Sequence, residues 1–288
     1  MSLISTLEAT PNRIWAVVRL VADKGPLARA DLQARIVPNS DVRNFGDLVI
    51  ESMRLGLLEE VSKEVRLTSG IPAEHVKDED WFVHFVDRSL QDASDKSGND
   101  QVRLGLAWLL TCTPGLDLGW NEDQKPRIQQ DTGEDFGLTN YSRFAMLCYW
   151  ARYLGYAIGF QIGPRRYVVP DPTIAIRRSL FHVFQNDEEL SAAVFVSRLA
   201  DHCSVLEGGT TRAIVESKQE QKRSEGQLSP ATSLALLRLD KQGAIELLHK
   251  SDANMRLLDM MEGDPKRVSH IRLRLTPNKS RRSNKSKP

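Results

Sequence analysis

A helix-to-ribbon pattern between Val42 and Thr68 constrains the fold more than any other stretch of the chain. Its apolar residues recur at steps of three and four up to Leu55 and alternate beyond Gly56, which predicts a helix followed by two strands. Gly56 stands where a helix ends in a left-handed residue, and residues 62–64 form a short polar turn between the strands. This order predicts the third helix and the wing of a winged-helix domain.

The same pattern occurs twice more along the chain. Residues 143–171 place Gly155 after an apolar helix and turn a ribbon at 163–164, and residues 234–260 place Gly243 after a leucine-rich helix, with a turn at 251–254. Three copies of helix, glycine, strand, turn and strand predict three related modules. The alternative is that a helix followed by a hairpin is common in any α+β protein. The repeat also predicts a positive φ at Gly56 and Gly155.

These patterns predict a mainly α protein with short β-hairpin wings, that is, an α+β fold of tandem winged-helix-like modules. The expected divisions are a winged-helix domain at 1–70 and a helical region with a second winged-helix-like unit at 71–186. A third such unit at 187–276 and a disordered basic tail at 277–288 complete the chain. The polar run from 116 to 137 is predicted to be an exposed loop.

Composition excludes several classes of protein. No apolar run reaches the roughly 18 residues of a membrane span, and the N-terminus lacks the basic flank and apolar block of a signal peptide. We therefore expect a cytoplasmic protein without a membrane partner. The three cysteines are far apart and offer no metal-ligand spacing, so neither structural zinc nor any other cofactor is predicted.

Charge is distributed unevenly, although the net charge is only +1. All 38 acidic residues lie at or before Asp264, so the body of the chain is net acidic and its end is basic. A basic arm on an acidic body is typical of a segment that binds phosphates or an acidic partner surface, although the arm can also be merely solvated. The basic residues after Asp264 are Lys266, Arg267, Arg272, Arg274, Lys279, Arg281, Arg282, Lys285 and Lys287.

Polar residues on the predicted helices and wings are candidates for contact with DNA. Arg43 and Asn44 stand near the start of the candidate recognition helix, where base edges would be read. Two arginines and a tyrosine follow the turn at 163–164, where guanidinium groups can reach phosphate oxygens, although an exposed turn explains them equally well. The full candidate set comprises Arg43, Asn44, Arg54, Lys63, Arg66, Arg165, Arg166, Lys279, Arg281, Arg282, Lys285 and Lys287.

The first unit also has a second interpretation. Its basic and acidic residues balance, and acidic residues share the predicted recognition helix. Winged helices that read DNA are usually more basic than this. The first unit is therefore also a candidate module for docking another protein.

Catalytic motifs are absent from the sequence. There is no phosphate-binding GxxxxGK[ST], no GxGxxG, no HExxH and no GxSxG. Residues 214–218, IVESK, place an acidic residue two positions before a lysine on a predicted strand, as in metal-dependent nucleases. Such a site needs an aspartate on a neighbouring strand, and Asp201 lies in a predicted helix, so a solvated charge pair is favoured. The polar stretch from Glu216 to Gly226 is predicted to be a mobile loop, and the protein is predicted not to be an enzyme.

Three segments resemble the DpdG family, a component of bacterial dpd gene clusters. They read TPNRIWAVVRLV at 10–21, YWARYLGYAIG at 149–159 and YVVPDPTIAI at 167–176. Those clusters insert 7-deazaguanine derivatives into DNA and restrict unmodified DNA. The resemblance implies an accessory subunit in phage defence that works beside helicase- or nuclease-like partners, and it transfers no catalytic residue.

Two functions follow from these observations. In the first, tandem winged helices hold DNA without strong sequence preference and the basic tail adds affinity. In the second, the chain is a protein-only scaffold whose winged helices assemble partner subunits while its acidic body repels DNA. A steep fall of DNA affinity with salt would favour the first.

Overall fold

A computed structural model of the protein describes residues 3–36, 42–91, 100–115, 136–219, 223–250, 254–260 and 263–274. Its first region is a set of helices closed by a small sheet. The strands are antiparallel in the order β1-β3-β2, with Leu27 opposite Val65 and Leu58 opposite Leu67. The elements are α1 Pro11–Lys24, β1 Leu27–Ala28, α2 Arg29–Ile36, α3 Val42–Arg54, β2 Leu58–Val61 and β3 Glu64–Leu67.

Helix α1 illustrates how local sequence fixes these elements. Thr10 precedes the helix in an extended conformation and Pro11 occupies the first turn, where a missing N–H costs nothing. Ile14, Val17 and Val21 are buried on one face because they recur at helical spacing. Burying that face against α3 gives the helix most of its stability.

The middle region is helical and ends in a two-stranded ribbon. Strands β4 and β5 pair from Ala157 opposite Pro170 to Ile162 opposite Arg165. Within the described residues, no other strand pairs with this ribbon. The elements are α4 Ala73–Val76, α5 Glu79–Gln91, α6 Asp100–Thr111, α7 Tyr141–Tyr153, β4 Ala157–Ile162 and β5 Arg165–Pro170.

The last region combines helices with a three-stranded sheet and a short ribbon. The sheet order is β6-β10-β7, and β8 pairs with β9. The helices are α8 Thr173–Phe184, α9 Ala192–His202, α10 Thr210–Ser217 and α11 Pro230–Lys241. The strands are β6 Glu189–Ser191, β7 Ile245–Leu248, β8 Arg256–Leu258, β9 Lys266–Val268 and β10 His270–Leu273.

The predicted third hairpin is wrong in its pairing. Strand β7 pairs with the distant β10, with Ile245 opposite Leu273, instead of with the strand that follows the turn at 251–254. Arg272 on β10 forms ion pairs with Glu189 on β6 and Glu246 on β7, and these cross-strand pairs favour the long-range register. The strands β8 and β9, which follow the polar turn in the sequence, therefore pair with each other as a separate ribbon.

The first and last regions share one order of elements. In the first region the elements follow the order α1-β1-α2-α3-β2-β3, and the central strand of the sheet is the last of its three strands in the sequence. The last region repeats this arrangement with the elements α8-β6-α9-α11-β7-β10. Helix α10 and the β8–β9 ribbon are additions to the second copy. The predicted α+β class is confirmed. What repeats is the order of six elements and of the strands in the sheet, which is more than the single helix and hairpin of the sequence pattern.

Glycines end the helices that precede β2, β4 and β7. The φ angles of Gly56, Gly155 and Gly243 are 72°, 82° and 69°, which confirms the prediction for Gly56 and Gly155. Gly155 is also confined by packing, because a Cβ atom there would lie 2.7 Å from Cγ2 of Ile174 at the start of α8. Its carbonyl accepts a hydrogen bond from the amide of Ala175 at 3.1 Å.

Buried contacts link the regions into one core. Trp150 is fully buried, and its indole N–H donates to the carbonyl of Ala9 at 3.2 Å. The hydroxyl of Tyr156 donates to Asp87 Oδ1 at 2.9 Å and lies 3.8 Å from Cys203 Sγ. These long-range bonds connect α7 to the segment before α1, and the residues that follow α7 to α5 and to the end of α9. The predicted domain boundaries remain a prediction, and the predicted loop at 116–137 lies almost entirely outside the described residues, as does the tail at 277–288.

Candidate nucleic-acid interface

The first region has cations that are neutralised by its own carboxylates. Arg66 Nε on β3 lies 2.9 Å from Glu59 Oε1, and Arg54 Nη1 lies 2.5 Å from Glu51 Oε1. Glu51 is almost fully buried, and burial raises the pKa of its carboxyl despite the nearby Arg54. Phosphate would have to compete with these carboxylates for both arginines.

The other candidates of the first region give little further support for DNA contact. Lys63 is exposed at the β2–β3 turn, beside Glu60 and Glu64. Arg43 and Asn44 lie in the first turn of α3, and their side chains are outside the described part of the molecule. Among the candidates whose side chains are described, Arg54, Lys63 and Arg66, the structure therefore shows no surface of unpaired cations.

The β4–β5 ribbon has the opposite electrostatic character. No acidic residue occurs between Ala157 and Pro170. Arg165 and Arg166 are exposed at the start of β5, directly after the turn at Gly163, whose φ is 56°. Among the described residues, no ion pair or hydrogen bond involves either guanidinium. Both groups are free to bind an anion.

One face of this ribbon is aromatic and apolar. Phe160 and Tyr167 are cross-strand partners whose ring centroids are 5.3 Å apart at an interplanar angle of 15°. Side chains alternate across a strand, so this face also holds Ile162 and Arg165, while Arg166 lies on the other face with Gln161. The side chain of Ile162 is 56% exposed. The ribbon thus presents Arg165 on the face of the stacked rings and Arg166 on the opposite face.

A further arginine lies against the base of the ribbon. A Cβ atom at Gly159 would be 2.7 Å from Nε of Arg152 on α7. The absence of a side chain at Gly159 therefore lets Arg152 pack against β4. This guanidinium adds positive charge beside the ribbon.

The last region resembles the first in its ion pairing. Arg272 Nη2 lies 2.8 Å from Glu189 Oε2, and Lys266 Nζ lies 3.4 Å from Asp240 Oδ2. Arg274 pairs with Glu246. The tail residues Lys279, Arg281, Arg282, Lys285 and Lys287 are outside the described residues. The described cations of this sheet are therefore largely offset by carboxylates.

The segment compared above with a nuclease is a helix, so its predicted strand is wrong. Glu216 lies on α10 and its Oε1 is 2.6 Å from Nε of Arg212, a fully buried arginine. The predicted mobile loop from Glu216 to Gly226 is also wrong at its start, because α10 extends to Ser217 and Arg223 pairs with Glu216. Helical i to i+4 spacing places Arg212 and Glu216 on one face, which explains the pairing. In the part of the chain that the structure describes, no group of histidine, cysteine or acidic residues is arranged to hold a metal ion.

Phe160 and Ile162 are parts of the interface that the sequence pattern did not single out. Their signal is the two-residue turn at 163–164, which fixes the register and so places Phe160 opposite Tyr167. The pairing of Arg54 with Glu51 follows helical i to i+3 spacing, whereas the pairing of Arg66 with Glu59 across the strands had no comparable signal. Charge counts along a sequence do not show which charges meet.

The fold and the ribbon define a predominantly helical α+β protein that presents unpaired cations beside aromatic rings. The family model described as DpdG-like matches residues 1–253, and the chain belongs to that family. The matched range includes the ribbon and confirms the resemblance found in the sequence. No match was found among curated proteins or among solved structures. Across the described ranges, no helix combines the length and hydrophobicity needed to cross a bilayer.

Proposed function

We propose that the chain is a non-enzymatic adaptor of a bacterial dpd system that holds DNA through its β4–β5 ribbon. Membership of the DpdG-like family supports a role in such a system. The observation that carries the DNA contact is the pair Arg165 and Arg166, unpaired and exposed on a ribbon without acidic residues. Guanidinium groups release counterions when they neutralise phosphates, which makes such binding strong at low salt.

The aromatic face strengthens the proposal. A base or sugar that approaches the ribbon meets the Phe160–Tyr167 pair and the exposed Ile162 next to Arg165. Stacking on aromatic rings is tolerant of sequence. We therefore propose DNA binding that is largely independent of sequence and does not select a modified base.

Winged-helix modules remain part of the proposal. The order helix, strand, helix, helix, ribbon in the first region and its repeat in the last region support two such modules around the middle ribbon. Their paired charges favour protein partners for these modules, such as helicase- or nuclease-like subunits. We propose that the protein acts in the cytoplasm, where such partners would meet DNA.

Fluorescence anisotropy with a labelled DNA duplex tests the DNA contact. The double variant Arg165→Ala/Arg166→Ala should lose affinity at low salt, and the slope of log affinity against log salt should flatten by about 2, since each phosphate contact contributes about 0.9. The matched control is Arg66→Ala, because Arg66 occupies the other ribbon but is paired with Glu59. A double variant that binds with the slope of the unmodified protein would refute the proposal.

A protein-only scaffold is the second candidate function. The observation that favours it is the ion pairing of the first and last regions, together with exposed Ile158 and Ile162 on the ribbon. In that case the full chain would retain its partner subunits at high salt and would not shift DNA. The Ile162→Ser variant would then release a partner while Arg165→Ala/Arg166→Ala retained it.

A further inference from the structure

Three histidines from different helices form a stack away from the ribbon. His84 is on α5, His182 on α8 and His202 at the end of α9. Their ring centroids are 4.9 Å apart for His182 and His202, 5.8 Å for His84 and His182, and 6.5 Å for His84 and His202. The interplanar angles are 17°, 12° and 25° in the same order, so the rings are nearly parallel.

Arg88 completes the cluster and fixes the protonation of one ring. Its Nη1 lies 3.2 Å from Nδ1 of His202 and 3.2 Å from the carbonyl oxygen of the same residue. A guanidinium can only donate, so Nδ1 of His202 is an acceptor and Nε2 bears the proton. That N–H is a donor available to a ligand.

The groups that face this cluster are cationic. Arg178 lies one turn before His182 on α8, donates to the carbonyl of Leu154 at 3.3 Å and lies 3.7 Å from Asp87. Asp87 is buried and accepts hydrogen bonds from Tyr156 at 2.9 Å and Gln91 at 3.4 Å. Asp87, the carboxylate that lies near Arg178, is therefore directed into the core.

Burial and positive neighbours both disfavour protonation of His84 and His202. Burial lowers the pKa of His202 to about 4, with further lowering by Arg88, His182 and His84. Burial also lowers the pKa of His84, followed by the effects of His182, Arg178 and Arg88. His84 and His202 are therefore disfavoured in their charged forms by burial and by neighbouring cations. A bound anion would offset the repulsion between a protonated imidazole and the neighbouring cations.

The arrangement does not suit a metal ion. Nδ1 of His202 accepts a hydrogen bond from Arg88 and its Nε2 bears the proton, so this ring has no lone pair left to bind a metal. Oxyanions have a different requirement, because they need several N–H donors and positive charge around one accessible position. Arg88 and His182 are exposed, and His84 and His202 are half-buried.

We propose that the His84–His182–His202 stack and Arg88 form an oxyanion site that binds a phosphate group. Arg88 provides a charged donor and the imidazoles provide further N–H donors. The site joins the middle region to the last one, so a bound phosphate would bridge α5, α8 and α9.

Binding at this site must depend on pH in a definite direction. An anion stabilises the charged imidazoles and so raises their pKa. By linkage, affinity for the anion increases as pH falls from 7.5 towards 5.5. A rise of one pKa unit in the complex corresponds to about a tenfold gain in affinity between the two protonation states.

Histidine NMR of the full ¹⁵N-labelled chain tests the proposal directly. Sulfate is the first probe, because its charge does not change over this pH range, and chloride at equal ionic strength is the reference. We expect sulfate to shift the ring signals of His84, His182 and His202 and to leave exposed His249 unchanged. Affinity should be higher at pH 5.5 than at pH 7.5. Absence of a sulfate effect on the three rings would overturn the proposal.

Variants add a second readout that does not depend on signal assignment. Arg88→Gln should weaken sulfate binding at least several-fold, while His249→Asn should leave it unchanged. Arg165→Ala/Arg166→Ala should also retain sulfate binding, which separates this site from the DNA contact of the ribbon. Because the test on the unmodified chain stands alone, a variant that fails to fold does not decide the outcome.

Further probes identify the source of the phosphate. Inorganic phosphate that shifts the three rings while a DNA duplex does not would indicate a small phosphorylated ligand. A duplex that shifts them would indicate the DNA backbone, and either result supports the site. Zinc that selectively broadens the three rings in the absence of any sulfate effect would contradict it and show a metal site instead.

Discussion

Substitution of Gly155 by alanine should destabilise the protein more than the same substitution at Gly56. Both glycines end a helix with positive φ, 82° and 72°, a conformation that costs an L-residue about 1 kcal/mol or somewhat more. The two sites differ in packing. A Cβ atom at Gly56 would meet nothing within 4 Å, whereas at Gly155 it would lie 2.7 Å from Cγ2 and 2.8 Å from Cβ of Ile174.

The steric difference sets the expected magnitudes. Overpacking of this kind costs about 1–3 kcal/mol. We therefore expect the free energy of unfolding to fall by about 1 kcal/mol for Gly56→Ala and by about 2–4 kcal/mol for Gly155→Ala. Gly243→Ala, where φ is 69° and the site is open, serves as a second reference near the smaller value.

A double-mutant cycle isolates the clash. Ile174 is 55% exposed, so Ile174→Gly by itself should cost about 1 kcal/mol, mainly through helix propensity. In the Gly155→Ala background it removes the two side-chain atoms that would clash, so the two substitutions should be non-additive by about 1–3 kcal/mol. Urea denaturation followed by circular dichroism measures each value. Equal losses at Gly155 and Gly56, or additive effects of Gly155→Ala and Ile174→Gly, would refute the reasoning.

Three further predictions concern charge and activity. Arg212→Met should lower the free energy of unfolding by about 3–5 kcal/mol, measured by urea denaturation, because it leaves Glu207 buried without its cation; a loss below about 1 kcal/mol would contradict this. Deletion of residues 277–288 should flatten the salt dependence of DNA affinity by several units while the melting temperature stays nearly constant, and an unchanged slope would favour the scaffold. Purified protein with Mg²⁺ should neither cleave plasmid DNA nor hydrolyse ATP, and cleavage that is lost in Glu216→Ala would show that it is a nuclease.

The effect of Arg212→Met follows from a balance around Glu207. Burial opposes ionisation of this carboxyl, but Arg212 and hydrogen bonds from Ser229 and Thr232 outweigh it, so its pKa lies below the ordinary value. The Ser229 amide donates to Glu207 Oε1 at 2.7 Å. Without the cation, the carboxylate remains in a dry site that no longer favours its charge.

Local features of the fold could be predicted from the sequence because they depend on neighbouring residues. Helical periodicity and Gly56 located α3, and the turn at 163–164 located the β4–β5 ribbon. The pairing of β7 with β10 could not be predicted this way. Residues 249–269 separate the two strands, and a nearer turn offered an equally good local partner for β7. Local signals do not rank such long-range alternatives.

In the candidate site, too, some features could be predicted from neighbouring residues and others depend on long-range packing. Arg165 and Arg166 were found because an arginine pair at a turn is visible in the sequence, whereas the pairing of Arg66 with Glu59 depends on strand register. The histidine stack had no sequence signal at all. Its members lie on three helices and come together only through packing of α5 against α8 and α9.

The position of β10 has a consequence for biosynthesis. In the first region the central strand β3 follows β2 after a two-residue turn, so that sheet can close as soon as residue 67 has left the ribosome. In the last region β6 and β7 are made long before β10, and each must wait with an unpaired edge. A nascent chain whose β6 and β7 have left the ribosome before β10 would therefore expose two unpaired strand edges that chaperones or other nascent chains can bind.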